Sequence, residues 1–340
     1  MPKKVAFVDI DGCLVENGKL NQALVEQLKA YDEVILFTQR SKFLQVGQVS
    51  RPYILAEQVP AKEEIINTPD AVQALSTILG KPIKVSTSVD RFFGNPTEYY
   101  ESRLKDFEER LKEEASSKGD QVDIASFNLE VRTEVEKIRA ALGQDERKSP
   151  GDFYPQGKVE QCQELINHLP QLMGTSDFVI DYYDDSQRNL KEVIDTDFPN
   201  KPTCMIVSGS YSCPLTKFKE KYGNEADPRD PEIKKQLEND PIAKLNQYIV
   251  DRERERQTSK SEYKSKWAEI FTPINSATTK ISAAKKAIKI LQGDDGEVMT
   301  EDEMQALKQG RLKEIIGDEI KTIKDSQEEQ QDRSCLWFRN

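Results

Sequence analysis

The stretch VAFVDIDGCL, residues 5–14, closes an apolar run with two aspartates one residue apart. If extended backbone continues through them, Asp9 and Asp11 leave the same face about 7 Å apart. Carboxylates that close repel one another unless a cation compensates them. The letters Asp-x-Asp-Gly also occur in calcium loops and ordinary turns, so this spacing alone leaves the chemistry open. Three further features follow in order: Thr38 at the end of an apolar run, Lys158 at the head of a helical pattern, and Asp184-Asp185 after another apolar run.

The elements that must position these residues are legible as alternating patterns. Short apolar runs at 5–8, 34–37 and 178–180 read as buried strands, with a fourth at 204–207 and a shorter one at 83–85. A helical pattern at 20–31 carries Leu24, Val25 and Leu28; another from 158 carries Val159, Cys162, Leu165, Ile166 and Leu169. Strands alternating with helices imply βαβ units and a parallel sheet, whose ligand sites lie at the carboxyl ends of the strands. Asp9, Thr38 and Asp184 all stand just past such runs. Residues 96–147 are charge-rich and helix-forming on both sides of a Ser-Ser-Lys-Gly-Asp turn, which reads as an inserted helical hairpin.

Taken together, these motifs resemble those of the haloacid dehalogenase superfamily of phosphotransferases. VAFVDIDGCL matches its first motif, VILFTQR its second, Lys158 its third and DYYDDSQRNL its fourth, over residues 4–207 without the hairpin. Cys13 stands where many members have Thr. The resemblance implies an α/β fold with a Rossmann-like parallel sheet and a Mg²⁺-dependent phosphatase working through an aspartyl-phosphate. By that pattern Asp9 is the nucleophile and Asp11 the proton donor and acceptor. Thr38 would bond the phosphoryl group, and Lys158 would balance charge on it and on Asp9. The metal is assigned to Asp9, Asp11, Asp184 and Asp185; an all-oxygen donor set of this kind suits Mg²⁺. An aspartate two residues after the nucleophile points to phosphoester hydrolysis rather than carbon–halogen chemistry. Lys148 is the second choice for the lysine, and Asp181 and His168 read as structural. The insertion does not look like a mixed α/β cap, which favours an open site and a phosphoprotein substrate, with phosphotyrosine as the example. A catalytically silent scaffold of the same fold, whose C-terminal helices bind a phosphoinositide membrane or a protein partner, is the alternative.

The composition bounds the rest. The chain has 340 residues, 32% of them charged, and a net charge of −11, which argues against a nucleic-acid partner. Five cysteines without a CxxC pair indicate neither a disulfide framework nor a zinc site. No secretory or membrane-spanning run is evident, so a cytoplasmic location is expected. No cysteine is followed six positions on by Arg, and no Gly-Lys-Ser/Thr loop occurs, which sets aside two other phosphate-handling chemistries.

Domain one is expected over 1–210 and an all-α domain over 230–340, with helices at 241–271, 277–291 and 300–330. Thr300 and Glu303 form a candidate capping box. TTKISAAKKAIKIL, 278–291, bears Lys280, Lys285, Lys286 and Lys289 without an acidic residue, a candidate anionic-lipid or phosphoinositide site set against a plain amphipathic helix. The tail SCLWFRN presents Leu336, Trp337 and Phe338. The acidic stretch before it resembles the C-terminal signals of effectors translocated by the Legionella type IV system, which implies a phosphatase acting in a host cytosol or at a membrane surface.

Overall fold

The computed structural model of the chain describes residues 2–38, 65, 68–87, 158–258, 276–294 and 296–337. The expected hairpin at 96–147, Lys148 and the substrate preference drawn from that insertion fall outside these residues. The first part runs β1 (Lys3–Val8), β2 (Val15–Glu16), β3 (Lys19–Leu20), α1 (Gln22–Leu28), β4 (Glu33–Thr38), α2 (Thr68–Leu79), β5 (Lys84–Thr87), α3 (Lys158–Met173), β6 (Phe178–Asp184) and α4 (Gln187–Ile194). Then come β7 (Thr203–Ser208), β8 (Tyr211–Pro214), α5 (Leu215–Tyr222), α6 (Pro231–Asn239), α7 (Pro241–Thr258), α8 (Ala277–Leu291), α9 (Glu301–Leu307), α10 (Gly310–Ile316) and α11 (Glu319–Trp337).

Six strands form one mixed, mostly parallel sheet in the order β5-β4-β1-β6-β7-β8. β1 pairs in parallel with both β4 and β6, β4 with β5 in parallel, and β7 with β8 antiparallel. The expected α/β class with a parallel sheet is therefore present. Val5 to Val8 and Val34 to Phe37 have no exposed surface, as strands covered on both faces must. The helix α3 buries Lys158, Gln161, Cys162, Leu165, Ile166, Leu169 and Met173. Each fully buried leucine there contributes about 2 kcal/mol of apolar burial. The stripe begins with two polar residues, and Val159 is only half buried; the site takes the place of apolar packing at this end.

Contact density divides the chain into two compact units: residues 1–20, 28–184 and 188–204, and residues 21–27, 185–187 and 205–340. The boundary falls within β7, ahead of the proline-rich stretch after 223 at which the sequence placed it. In the first unit, β2 and β3 form a hairpin with Val15 opposite Leu20 and Glu16 opposite Lys19. Its two-residue turn is Asn17-Gly18, both at positive φ (51° and 73°), the pairing a type I′ turn demands. The helical pattern expected from residue 20 consequently starts only at Gln22.

In the second unit, Tyr211 of β8 packs edge-on to Phe218 and Tyr222. A strand after residue 210 is a correction: Tyr-Ser-Cys-Pro is too short and polar to read as one, yet three of its residues are buried. Helix α6 is capped by Asp230, whose carboxylate accepts the N–H groups of Glu232 and Ile233. Helix 277–291 has the expected bounds. The single helix expected over 300–330 is instead three, interrupted at Gly310 (φ 53°) and Gly317 (φ 49°), since left-handed backbone cannot continue an α-helix. Among the described residues no helix is long and apolar enough to cross a membrane.

The Thr300–Glu303 capping box forms in full. Glu303 also accepts hydrogen bonds from Ser282 Oγ (2.5 Å) and Lys286 Nζ (2.7 Å). Burial alone would raise its carboxyl, but these donors, the Thr300 N–H and the Lys286 charge hold it below its ordinary value of 4.5. A carboxyl depressed in the folded state stabilises above its unfolded pKa, and that stabilisation is lost as pH falls through the folded value. Urea unfolding of the full chain and of Glu303→Gln, followed by circular dichroism from about pH 6 to about pH 3, should show the wild-type advantage shrinking with falling pH. An advantage that stays constant across the range would remove the ionised carboxylate from the account.

Candidate functional site

Sheet register brings the candidate residues together. Val8 lies opposite Tyr183 on one side of β1 and opposite Leu36 on the other. The Asp9 N–H continues the ladder to the Tyr183 carbonyl at 2.9 Å. Asp9 therefore falls beside Asp184 in one neighbouring strand and beside Phe37 in the other, with strands about 4.8 Å apart. Side chains two residues back on the same face are Phe7 and Tyr182. Phe37 stacks on Phe7 at 5.6 Å between ring centroids and meets Tyr182 edge-on at 5.1 Å. The carboxylates thus stand on an aromatic floor.

The chain must leave β1 sharply for Asp9 to project. Leu14 N–H returns to the Asp9 carbonyl, Val15 N–H to the Ile10 carbonyl, and Gly12 N–H to the Val15 carbonyl. Gly12 sits at φ 72°, a conformation only glycine adopts without steric cost. Asp11 is exposed at this turn and makes a bridge to Val15. Cys13, at the position where the resembling motif has Thr, is fully buried.

Lys158 opens α3 and places its ammonium, with the residue only 2% exposed, among these groups. Nζ donates to Asp9 Oδ1 at 2.7 Å and to the Phe37 carbonyl at 2.7 Å, and lies 3.9 Å from Asp184 Oδ2. It also stands over the Phe37 ring, 4.7 Å from the centroid. Asp184 has no exposed surface. Tyr182 donates its phenol hydrogen to Asp184 Oδ2, and Asn189 Nδ2 reaches Oδ1 at 3.3 Å and Oδ2 at 3.1 Å. Burial, then the charges of Asp184 and Asp9, pushes the Tyr182 phenol far above its ordinary range, so it remains a donor.

Asp9, Asp184 and Asp185 each offer a carboxylate oxygen within 4.8 Å of the others. This donor set is all oxygen and anionic, which fits a hard divalent cation and does not by itself distinguish Mg²⁺ from Mn²⁺ or Ca²⁺. Of the four expected metal ligands, Asp11 is not in the group. Thr38 is buried at the end of β4, and its carbonyl accepts Gln161 Nε2 at 3.1 Å; the same amide reaches Ser86 Oγ at 3.0 Å. Gln161 thus ties the ends of β4 and β5 to the helix that carries Lys158. His168 Nδ1 lies 2.8 Å from the Glu164 carbonyl within α3. Asp181 accepts the Tyr31 hydroxyl at 2.6 Å. Both keep the structural reading.

Sequence reasoning passed over Tyr182 and Gln161 and noted Asn189 only as part of a motif. The available signal for Tyr182 was its position two residues before Asp184, on the same strand face. Of the lysines of α8, Lys286 pairs with Glu303 and Lys289 with Glu297, while Lys280, partly buried near Arg252, is shifted down by burial and then by that charge. Lys285 is exposed. The side chains of Leu336, Trp337 and Phe338 lie outside the described residues.

Removing the ammonium would leave adjacent buried carboxylates without a counter-charge, a change that costs about 3–5 kcal/mol when one partner of a buried pair is deleted. Lys158→Met should lose unfolding free energy on that scale in chelator-treated buffer, read by urea denaturation. A loss under about 1 kcal/mol would mean that the ammonium does not hold the carboxylates together. Comparison with protein-family models, with curated proteins and with solved structures finds no match to this chain.

Proposed function

We propose that this chain is a Mg²⁺-dependent phosphatase that hydrolyses phosphomonoesters through an aspartyl-phosphate on Asp9. The observation that carries this reading is the buried Lys158 ammonium, bonded to Asp9 and shared at longer range with Asp184, at the carboxyl ends of adjacent parallel strands. A carboxylate attacking a phosphate ester brings two anions together, and the attack is feasible only where fixed positive charge awaits them. Lys158 supplies one such charge. The divalent ion, held by Asp9, Asp184 and Asp185, would supply the remainder by neutralising phosphoryl oxygen.

In this reading a carboxylate oxygen of Asp9 attacks phosphorus and the bond to the ester oxygen breaks. The departing oxygen takes a proton from Asp11, whose exposed position past the β1 turn lets it meet a leaving group arriving from solvent. Asp11, now ionised, accepts a proton from water as that water attacks phosphorus. Inorganic phosphate leaves and the Asp9 carboxylate is regenerated. Thr38, at the end of β4, would donate to a phosphoryl oxygen while Gln161 holds its backbone.

Assays with an aryl phosphate, with Mg²⁺ and after chelation, test the reading. Wild type should turn over only with the ion present, and Asp9→Asn should lose at least about 10³-fold of kcat, as a covalent nucleophile requires. Asp11→Asn should accumulate or slow at the phosphorylated enzyme, detected by mass spectrometry. Equal rates for wild type and Asp9→Asn would discard the nucleophile, and a chain inert toward a broad panel of phosphomonoesters would favour a catalytically silent scaffold.

A further inference from the structure

Asp184 is held in a way that a simple ion pair does not need. It has no exposed surface, yet the nearest ammonium, Lys158, sits 3.9 Å away and gives its short bond to Asp9 instead. Two neutral side-chain donors reach Asp184: the Tyr182 phenol on Oδ2 and the Asn189 amide on both oxygens. Neutral donors fix where a carboxylate points without cancelling its charge. An ammonium at that distance would fix it and cancel it. The Tyr182 ring cannot easily relocate, being fully buried and locked edge-on against Phe37.

We propose that Tyr182 is a positioning residue for the metal, orienting the Asp184 carboxylate as a charged ligand while leaving the Lys158 ammonium to Asp9. The proposal rests on the phosphatase reading only in placing a divalent ion at Asp9, Asp184 and Asp185. Groups that orient metal-bound carboxylates typically change metal affinity 10–100-fold when removed. Tyr182→Phe deletes one oxygen and keeps the ring, so it removes the hydrogen bond with little change to the aromatic floor.

A structural phenol on the same strand provides the control. Tyr183 points from the opposite face of β6, and its hydroxyl shares a 2.6 Å hydrogen bond with Tyr31. Tyr183→Phe therefore removes a comparably buried hydroxyl without touching Asp184. The test titrates full-length wild type, Tyr182→Phe, Tyr183→Phe and Asp184→Asn with Mn²⁺, reading free ion by electron paramagnetic resonance, with no substrate present. Wild type should bind, Asp184→Asn should bind far more weakly, Tyr182→Phe should bind about 10–100-fold more weakly, and Tyr183→Phe should stay within about threefold of wild type. Any of four results overturns the proposal: no binding by wild type, unchanged binding by Asp184→Asn, unchanged binding by Tyr182→Phe, or an equal loss in Tyr183→Phe. The phosphatase reading fails separately: a chain that shows the expected Mn²⁺ pattern but hydrolyses no ester keeps the positioning role and loses the reaction.

Discussion

A lysine ammonium with 2% exposure is the constraint on which the first unit turns. Removing it from water costs several kcal/mol, and the surroundings must return that through close, well-aimed contacts. They do so with an aspartate oxygen and a backbone carbonyl at 2.7 Å each, an aromatic face, and a second carboxylate at longer range. Every one of these partners depends on register. Phe37 and Asp184 flank Asp9 only because β4 and β6 pair with β1 as they do, and Lys158 reaches them only because α3 begins at the strand ends. A slip of one residue in β1 would turn Asp9 to the opposite face and strand the ammonium.

Three carboxylates meet at this point around the buried Lys158 ammonium, which is more than a simple ion pair. Asp9, Asp184 and Asp185 gather against one lysine. A buried pair kept only for stability is commonly matched or bettered by apolar residues of similar volume. Excess negative charge at the mouth of a parallel sheet is a standing cost, and it is relieved when a cation binds or when one carboxyl takes up a proton. Such an acidic group is one that could hold a metal ion.

How much of this was legible depended on the range over which each signal acts. The continuous apolar runs of β1, β4 and β6 and the order of Asp9, Thr38, Lys158 and Asp184 are local, so the sheet and most of the site could be read directly. Asn17-Gly18 was an equally local hairpin signal and was overlooked beside the aspartates. Gly310 and Gly317 are the local signals that split the last helix, since both take a positive φ. Lys286 and Lys289 looked like a solvated basic face because their partners, Glu303 and Glu297, lie 17 and 8 residues away. Gln161 was invisible for a related reason: its partners Thr38 and Ser86 come from two other strands.

Strand β6 shows why position on a strand, rather than residue type, decides what an aspartate does. Asp181 and Asp184 are three residues apart and so project from opposite faces. On one face Asp181 lies among Tyr31 and Tyr183, and its burial outweighs the Tyr31 and Thr203 hydrogen bonds and the Lys4 charge, raising its pKa. That carboxyl drifts toward the neutral form, which suits a structural hydrogen-bond network. On the other face Asp184 stands beside a second carboxylate, with the buried Lys158 ammonium and the Tyr182 and Asn189 donors also in reach. The same strand therefore carries one aspartate into a tyrosine hydrogen-bond network and the other into the acidic group at the end of β1. The second is the face that Lys158 and the end of β1 also reach.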